Sequence, residues 1–265
     1  MKETSSEASM AAVELRFPYP HIGLLEVRRP EVRNALDWQA MEAFGAAVEQ
    51  AHREPALRVL VVTGQGQVFI AGGDLKVLAA YPNEEDGRHL SALMTGSLAR
   101  LEALPVPTIA ALNGPARGGG SEVALACDMR VMAANADLGF VQIRQALIPG
   151  WGGGQRLLRL VGYARAMEWL LTGRILTAEE ALAVGLANRL APAGKALEEA
   201  LALAREIAAH PPQTVRAIKA LLRAGTTLPP ALAAAEEQRL FPPLWAEDAH
   251  LQAVRAFLQQ RRGKK

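Results

Sequence analysis

Apolar and polar residues alternate over residues 13–17 and again over 22–27, and a turn holding Pro18, Pro20 and His21 separates the two runs. A period of two sends successive side chains to opposite faces of a sheet, so the pattern predicts a pair of strands. Behind Asp37 the period changes: Met41, Phe44 and Val48 recur at helical spacing through residues 38–53, and the Asp37 carboxylate is of the type that caps a helix start. Residues 58–63 are a short β-branched run consistent with a buried strand. Residues 83–104 return to helical spacing through Leu90, Leu93, Leu98 and Leu101. That run stops at Pro105 and Pro107, which also restrain the start of a strand at 108–112. A helix is expected over 121–127, and short strands over 130–133 and 137–140. From Gln155 onward nearly everything reads as helix, broken at Gly162, Gly173, Gly185, Pro211, Pro212, Pro229 and Pro230. Strands beside helices, followed by a helical last third, predict an α/β core with a helical C-terminal region. The division expected is a polar tail over 1–12, a core over 13–195 and helices over 196–265.

Glycines punctuate this pattern in three places: Gly64, Gly66, Gly72 and Gly73; then Gly118, Gly119 and Gly120; then Gly150, Gly152, Gly153 and Gly154. None forms a dinucleotide fingerprint, because Phe69 and Gln155 stand where GxGxxG needs its third glycine. No GxxxxGK[ST] phosphate loop is present. Ser121 lacks the glycine two residues on that a nucleophile elbow needs, since Val123 stands there. The five histidines, His21, His52, His89, His210 and His250, are scattered without metal-ligand spacing, so no metal site is expected.

Composition narrows the picture further. Aromatics are 5% of the 265 residues, so the core must be largely aliphatic. A net charge of +2 gives no nucleic-acid footprint, and the basic residues Arg261, Arg262, Lys264 and Lys265 read as a solvated tail. Cys127 is the single cysteine, which excludes an internal disulfide and fits a reducing interior. The first ten residues are polar, without the apolar stretch of a secretory signal, and the longest apolar runs are far short of a membrane span. A cytoplasmic protein with no membrane and no nucleic-acid partner is expected.

Two glycine loops share one physical logic. Ala71, Gly72, Gly73, Asp74, Leu75 and Lys76 follow a predicted strand and open a short helix. Residues 113–122 do the same, with Gly118, Gly119 and Gly120 directly before a helix. A helix N-terminus offers unpaired N–H groups and positive potential, and glycine lets a ligand approach that backbone. Two such loops facing one point could hold an oxyanion, each donor contributing about 2.7–4 kcal/mol in a transition state. Tight turns alone would also use these glycines.

The order of Arg29-Pro30-Glu31 and Asn34-Ala35-Leu36, AGGDLK at 71–76, Asn113-Gly114 with GGGSEVALACD at 118–128, and IPGWGGGQRL at 148–157 resembles the enoyl-CoA hydratase/isomerase, or crotonase, superfamily. The likeness continues through LTGRILTAEEALAVGLANRL at 171–190 and the terminal FLQQRR. The resemblance implies a spiral of ββα units with a helical C-terminal region that assembles homotrimers or homohexamers. It implies an acyl-CoA substrate, no cofactor beyond the coenzyme A of the substrate, and N–H groups of Gly73 and Gly119 forming an oxyanion hole. It places Arg29, Arg33, Ala71, Gly72, Asp74, Leu75, Lys76 and Gly120 along the substrate, with Trp151 a candidate pocket wall beside the third glycine cluster; Tyr81 and Met94 are weaker candidates of the same kind.

Glu122 matches the first of the two glutamates by which hydratases of this family handle water, although a carboxylate on a first helical turn can also be a simple cap. The second falls at Gln142, and Gln cannot carry a proton at neutral pH. Losing a general acid/base costs about 10²–10⁴ in rate. Three chemistries stay open: hydratase or lyase work with Glu122 as lone acid/base and Gln142 orienting water; a double-bond isomerase drawing its base from elsewhere, for instance Glu84, Glu85 or Asp86; or decarboxylation of a malonyl-CoA-type substrate, which forms the enolate without a base. The stretch 138–153 is also similar to the ethylmalonyl-CoA decarboxylase branch. Arg144 or Arg117 could pair with a substrate carboxylate, or either could be a surface arginine without a partner. A non-catalytic acyl-CoA binder is the remaining alternative.

Overall fold

The computed structural model describes residues 11–262. The expected tail falls almost wholly outside the described residues, as do Lys264 and Lys265. Strands β1 (Val13–Tyr19) and β2 (Ile22–Val27) pair antiparallel across the turn at His21. Helix α1 (Trp38–Arg53) then crosses back to a parallel partner, β3 (Val59–Gly64). Asp37 caps α1 as its position predicts, its Oδ1 accepting from the Ala40 N–H at 2.8 Å.

The chain continues through α2 (Leu75–Leu78), α3 (Glu84–Ala103), β4 (Thr108–Leu112), β5 (Ala116–Arg117) and α4 (Gly119–Ala126). Next come β6 (Met129–Ala133), β7 (Asp137–Gly139), α5 (Gly153–Val161), α6 (Tyr163–Thr172), β8 (Ile175–Thr177), α7 (Ala178–Ala183) and β9 (Arg189–Ala191). Four further helices close the fold: α8 (Ala196–Ala208), α9 (Pro212–Thr227), α10 (Pro230–Trp245) and α11 (Asp248–Arg262).

The large sheet has the order β1-β2-β3-β4-β6-β9, parallel from β2 onward, and a smaller sheet has the order β5-β7-β8. A strand of the large sheet, a short strand of the small one and then a helix recur as β4–β5–α4 and β6–β7–α5. This is the turn of a ββα spiral. Both faces of the large sheet are covered, which is why β3 and β4 are apolar without alternation. Leu60 and Val62 pack with α1, α3 and α4, while Val59 and Val61 pack against Ala200, Leu203 and Ala204 of α8. Helix α9 is tied to the same body: Lys219 Nζ donates to Val106 O at 2.9 Å and pairs with Asp128 at 2.7 Å.

Two expectations are corrected. The stretch after Gln155 is not all helix: β8 joins the small sheet, and β9 forms the edge of the large one against β6. Runs of three residues are too short to show a period of two. Helix α4 also begins two residues before the predicted start, because its first residues are glycines, which carry no helical signal of their own.

Candidate functional site

The first glycine loop is shaped by two asparagines. Asn34 Nδ2 donates to Gln65 O and Val68 O at 2.9 and 2.7 Å, and Asn113 Nδ2 donates to Gly64 O and Gly66 O at 2.9 and 2.5 Å. The loop then pairs with Leu36: the Leu36 N–H donates to Gly72 O, and the Asp74 N–H to Leu36 O, both at 2.8 Å. In such a bridge the intervening amide faces the other way, and the Gly73 N–H meets no acceptor among the described residues.

The second loop lies against the first. Ile70 and Ala116 form a parallel bridge, and the Arg117 N–H donates to Ile70 O at 3.2 Å. Gly72 has φ +97°, and a Cβ on it would stand 3.0 Å from Arg117 O and 3.2 Å from Gly119 N. Gly119 is the first residue of α4, so its N–H has no partner within the helix, and none of the described residues accepts it from outside. Gly120 has a different reason to be glycine, since a Cβ there would lie 1.8 Å from Ile70 O. The triple glycine therefore divides into a positive-φ turn at Gly118 (φ +52°), an open donor at Gly119 and a close backbone crossing at Gly120.

One turn into α4, Glu122 is 1% exposed. Its Oε2 accepts from the Trp151 and Gly153 N–H groups at 2.8 and 2.7 Å, and Gln142 Nε2 donates to Oε1 at 2.9 Å. Burial drives the Glu122 carboxyl upward from its ordinary range, and the hydrogen bonds from Gly153, Trp151, Gln142 and Gly150 oppose this without cancelling it. The group is thus a buried carboxyl whose charged form is less favoured than that of an exposed one. Gln142 Oε1 is buried and has no partner among the described residues. An amide can turn over, so Gln142 can donate to the carboxylate or accept from the acid.

The turn that carries those N–H groups is itself clamped. Ser91 and Thr95, one helical turn apart on α3, donate to Gly150 O at 2.7 and 3.3 Å. Arg156 Nη1 donates to Trp151 O at 2.7 Å while Nη2 pairs with Glu102 at 2.8 Å. The carbonyls of this turn are held on one side, and its N–H groups face Glu122 on the other. Sequence reasoning missed Ser91, Thr95, Glu102 and Arg156. The only available signal was the i,i+4 hydroxyl pair, and its partner is a main-chain oxygen that sequence does not mark.

The other residues singled out from sequence are distributed as follows. Arg29 and Asp74 turn inward: the guanidinium pairs with Asp37 at 2.5 Å and Asp74 at 3.7 Å and donates to Ala35 O, linking the starts of α1 and α2. Arg33 is exposed, and its carbonyl accepts from the Ala71 N–H at 3.2 Å, so an exposed cation borders the first loop. Leu75 and Lys76 are exposed on α2 beside it. Trp151 is 5% exposed and packs on Gly119. Met94 is fully buried core, and Tyr81 meets the edge of Trp38 at 5.6 Å.

Three of the suggested groups have other partners in the structure. Arg117 is neither without a partner nor open to a substrate carboxylate, because both its terminal nitrogens engage Asp137. Arg144 donates to Gly173 O at 2.8 Å at the end of α6. Glu84 and Glu85 lie exposed on the first turn of α3, paired with Arg88, where negative charge offsets the helix dipole.

Among the described residues no group of three or more His, Cys, Asp or Glu side chains is arranged to hold a metal ion, and no helix is long and apolar enough to cross a membrane. Cys127 is buried, its thiol pushed up to about 12 chiefly by desolvation, so it is inert at neutral pH.

Comparison with known proteins agrees with this architecture. The family model described as enoyl-CoA hydratase/isomerase matches residues 19–264. The chain is 37% identical over 242 residues to a 2,3-dehydroadipyl-CoA hydratase of Escherichia coli, covering 90% of this chain and 92% of that one. It is 30% identical over 257 residues to an ethylmalonyl-CoA decarboxylase of Gallus gallus, covering 96% and 86%. The crystal structure of an enoyl-CoA hydratase from Bacillus anthracis superposes with a TM-score of 0.88 at 34% identity, covering 94% of this chain and 96% of that one. The chain belongs to the enoyl-CoA hydratase/isomerase family.

Proposed function

We propose that the protein is an acyl-CoA enzyme in which the Gly73 and Gly119 N–H groups receive the thioester oxygen and Glu122 is the only acid/base. The observation that carries this reading is the placement of one buried carboxyl on the first turn of the helix whose leading amide is open. As the thioester becomes an enolate, negative charge gathers on its oxygen, where two fixed donors act most strongly. Glu122 then delivers its proton to the enolate carbon. In hydration, the water oxygen bonds to Cβ, the Cα–Cβ π pair moves into the enolate, Glu122 gives its proton to Cα, and the proton shed by the water returns to the Glu122 carboxylate, with Gln142 Oε1 accepting a hydrogen bond that orients the water. Double-bond isomerisation uses the same carboxyl to remove and return one proton. Exposed Arg33 and Lys76 bordering the first loop suit the phosphates of coenzyme A.

A second reading is supported by Gln142, which leaves Glu122 without a carboxylate partner, and by the similarity to a decarboxylase. There the Cα–CO₂⁻ bond breaks, its electron pair forms the enolate, CO₂ leaves, and Glu122 protonates Cα. No base is needed. Incubating the pure protein with crotonyl-CoA and, separately, with ethylmalonyl-CoA and methylmalonyl-CoA, with products followed by mass, decides between the two. A gain of one water by crotonyl-CoA supports the first reading; loss of CO₂ from the malonyl-type thioesters alone promotes the second; no turnover of any leaves a binder.

The C-terminal helices carry exposed Leu232, Phe241 and Trp245 on α10, which supports a homotrimer or a pair of trimers joined through them.

A further inference from the structure

An indole packs against both loops where they meet. Trp151 Cζ3, Cη2 and Cε3 come within 2.2, 2.4 and 2.6 Å of where a Cβ on residue 119 would stand, so the six-membered ring rests on the Gly119 α-carbon. The same ring reaches the other loop, with Cζ2 4.0 Å from the β-position of residue 73. Leu78 Cδ1 and Met41 Cε stand 2.7 and 3.8 Å from that second position. The α-carbons of the two loop glycines therefore rest on an apolar cluster of Trp151, Leu78 and the fully buried Met41. The ring is also held: its own peptide is fixed through the N–H to Glu122 and through the carbonyl to Arg156, and only 5% of the residue is exposed.

A thioester whose oxygen lies between these amides sits next to this indole, which fills volume that a smaller side chain would leave open. We propose that Trp151 sets the acyl length, admitting compact acyl groups of about four carbons and excluding linear chains of about eight or more. The inference rests on the reading of Gly73 and Gly119 as the thioester site.

Calorimetric titration with saturated thioesters, which cannot be hydrated or decarboxylated, tests it without relying on turnover. Butyryl-CoA, octanoyl-CoA and free coenzyme A are titrated into the wild-type protein and into Trp151→Ala and Trp151→Phe. The wild type is expected to bind butyryl-CoA at least about 10-fold tighter than octanoyl-CoA, Trp151→Ala to reverse that order, and Trp151→Phe to fall between. Where Trp151→Ala fails to fold, Trp151→Phe carries the test, and a preference in it unchanged from wild type overturns the proposal. Equal affinity for the two chain lengths in the wild type, or an unchanged preference in folded Trp151→Ala, overturns the proposal. Binding of coenzyme A but no gain from any acyl group refutes the role of Trp151 while leaving the coenzyme reading intact. Failure of every thioester and of coenzyme A itself to bind overturns the thioester site and this inference together.

Discussion

Gly153 and Glu122 are packed so closely that no side chain fits between them. The Gly153 N–H donates to Glu122 Oε2 at 2.7 Å, and a Cβ on residue 153 would stand 2.3 Å from Glu122 Cγ. The glycine at this point is a requirement of the carboxylate and not of the turn. Gly153→Ala should therefore push Glu122 out of place. Overpacking of this kind costs about 1–3 kcal/mol, and a misplacement near 1 Å costs about 10²-fold in rate. The thermal midpoint and kcat should fall together; a variant with unchanged kcat contradicts the placement of Glu122 at the reacting atoms.

Glu122→Gln separates chemistry from stability. Gln keeps an oxygen for the Trp151 and Gly153 N–H groups, and its new amide can donate to a turned Gln142. Activity should drop about 10²–10⁴-fold. Stability should move the other way. The folded carboxyl holds its proton to higher pH than the unfolded chain, which ionises near the ordinary 4.5. As pH rises through that interval the folded state binds more protons than the unfolded one, so wild-type stability declines toward the folded-state midpoint and levels off above it. Glu122→Gln lacks this slope. Its melting temperature relative to wild type should climb with pH across the interval; a difference that stays flat refutes the raised ionisation.

Arg156 acts on Glu122 through the Trp151 peptide. Arg156→Met deletes the donor to Trp151 O and leaves Glu102 with Arg159 at 3.6 Å as its remaining partner. Breaking a buried pair costs about 3–5 kcal/mol, and partial exposure of Glu102 puts this one near the low end. If the residue positions the turn, kcat falls with KM little changed and the acid limb of the pH–rate profile moves. A loss of stability with an unmoved pH profile assigns Arg156 a purely structural part.

Gln142→Glu restores a second carboxylate about 2.9 Å from Glu122. Two carboxyls this close cannot both ionise easily, so one is held protonated to higher pH. Crotonyl-CoA hydration should rise by about 10²–10⁴-fold if a missing acid/base is what limits it. No rise, alongside loss of decarboxylation, favours the decarboxylase reading.

The parts of this protein legible from sequence were those with a period or a motif. Asp37 before α1, the run at β4 and the glycines of both loops lie where their patterns put them, and Glu122 does sit beside Gln142. The illegible parts depend on contacts between distant segments. Arg117 meets Asp137 across 20 residues, and Arg156 meets Glu102 across 54. Neither pairing leaves a local trace. Strands β8 and β9 were hidden for another reason, being three residues each and flanked by helix signals. Gly120 and Gly153 looked like loop glycines, and only packing reveals that one yields to Ile70 O and the other to Glu122.

Whether the two amides share one oxygen is measured directly by a crystal structure of the protein with butyryl-CoA bound. The thioester oxygen should lie about 2.7–3.1 Å from both Gly73 N and Gly119 N, with the carboxyl of Glu122 facing the thioester α-carbon. A thioester oxygen within reach of only one of those nitrogens, or of neither, contradicts it.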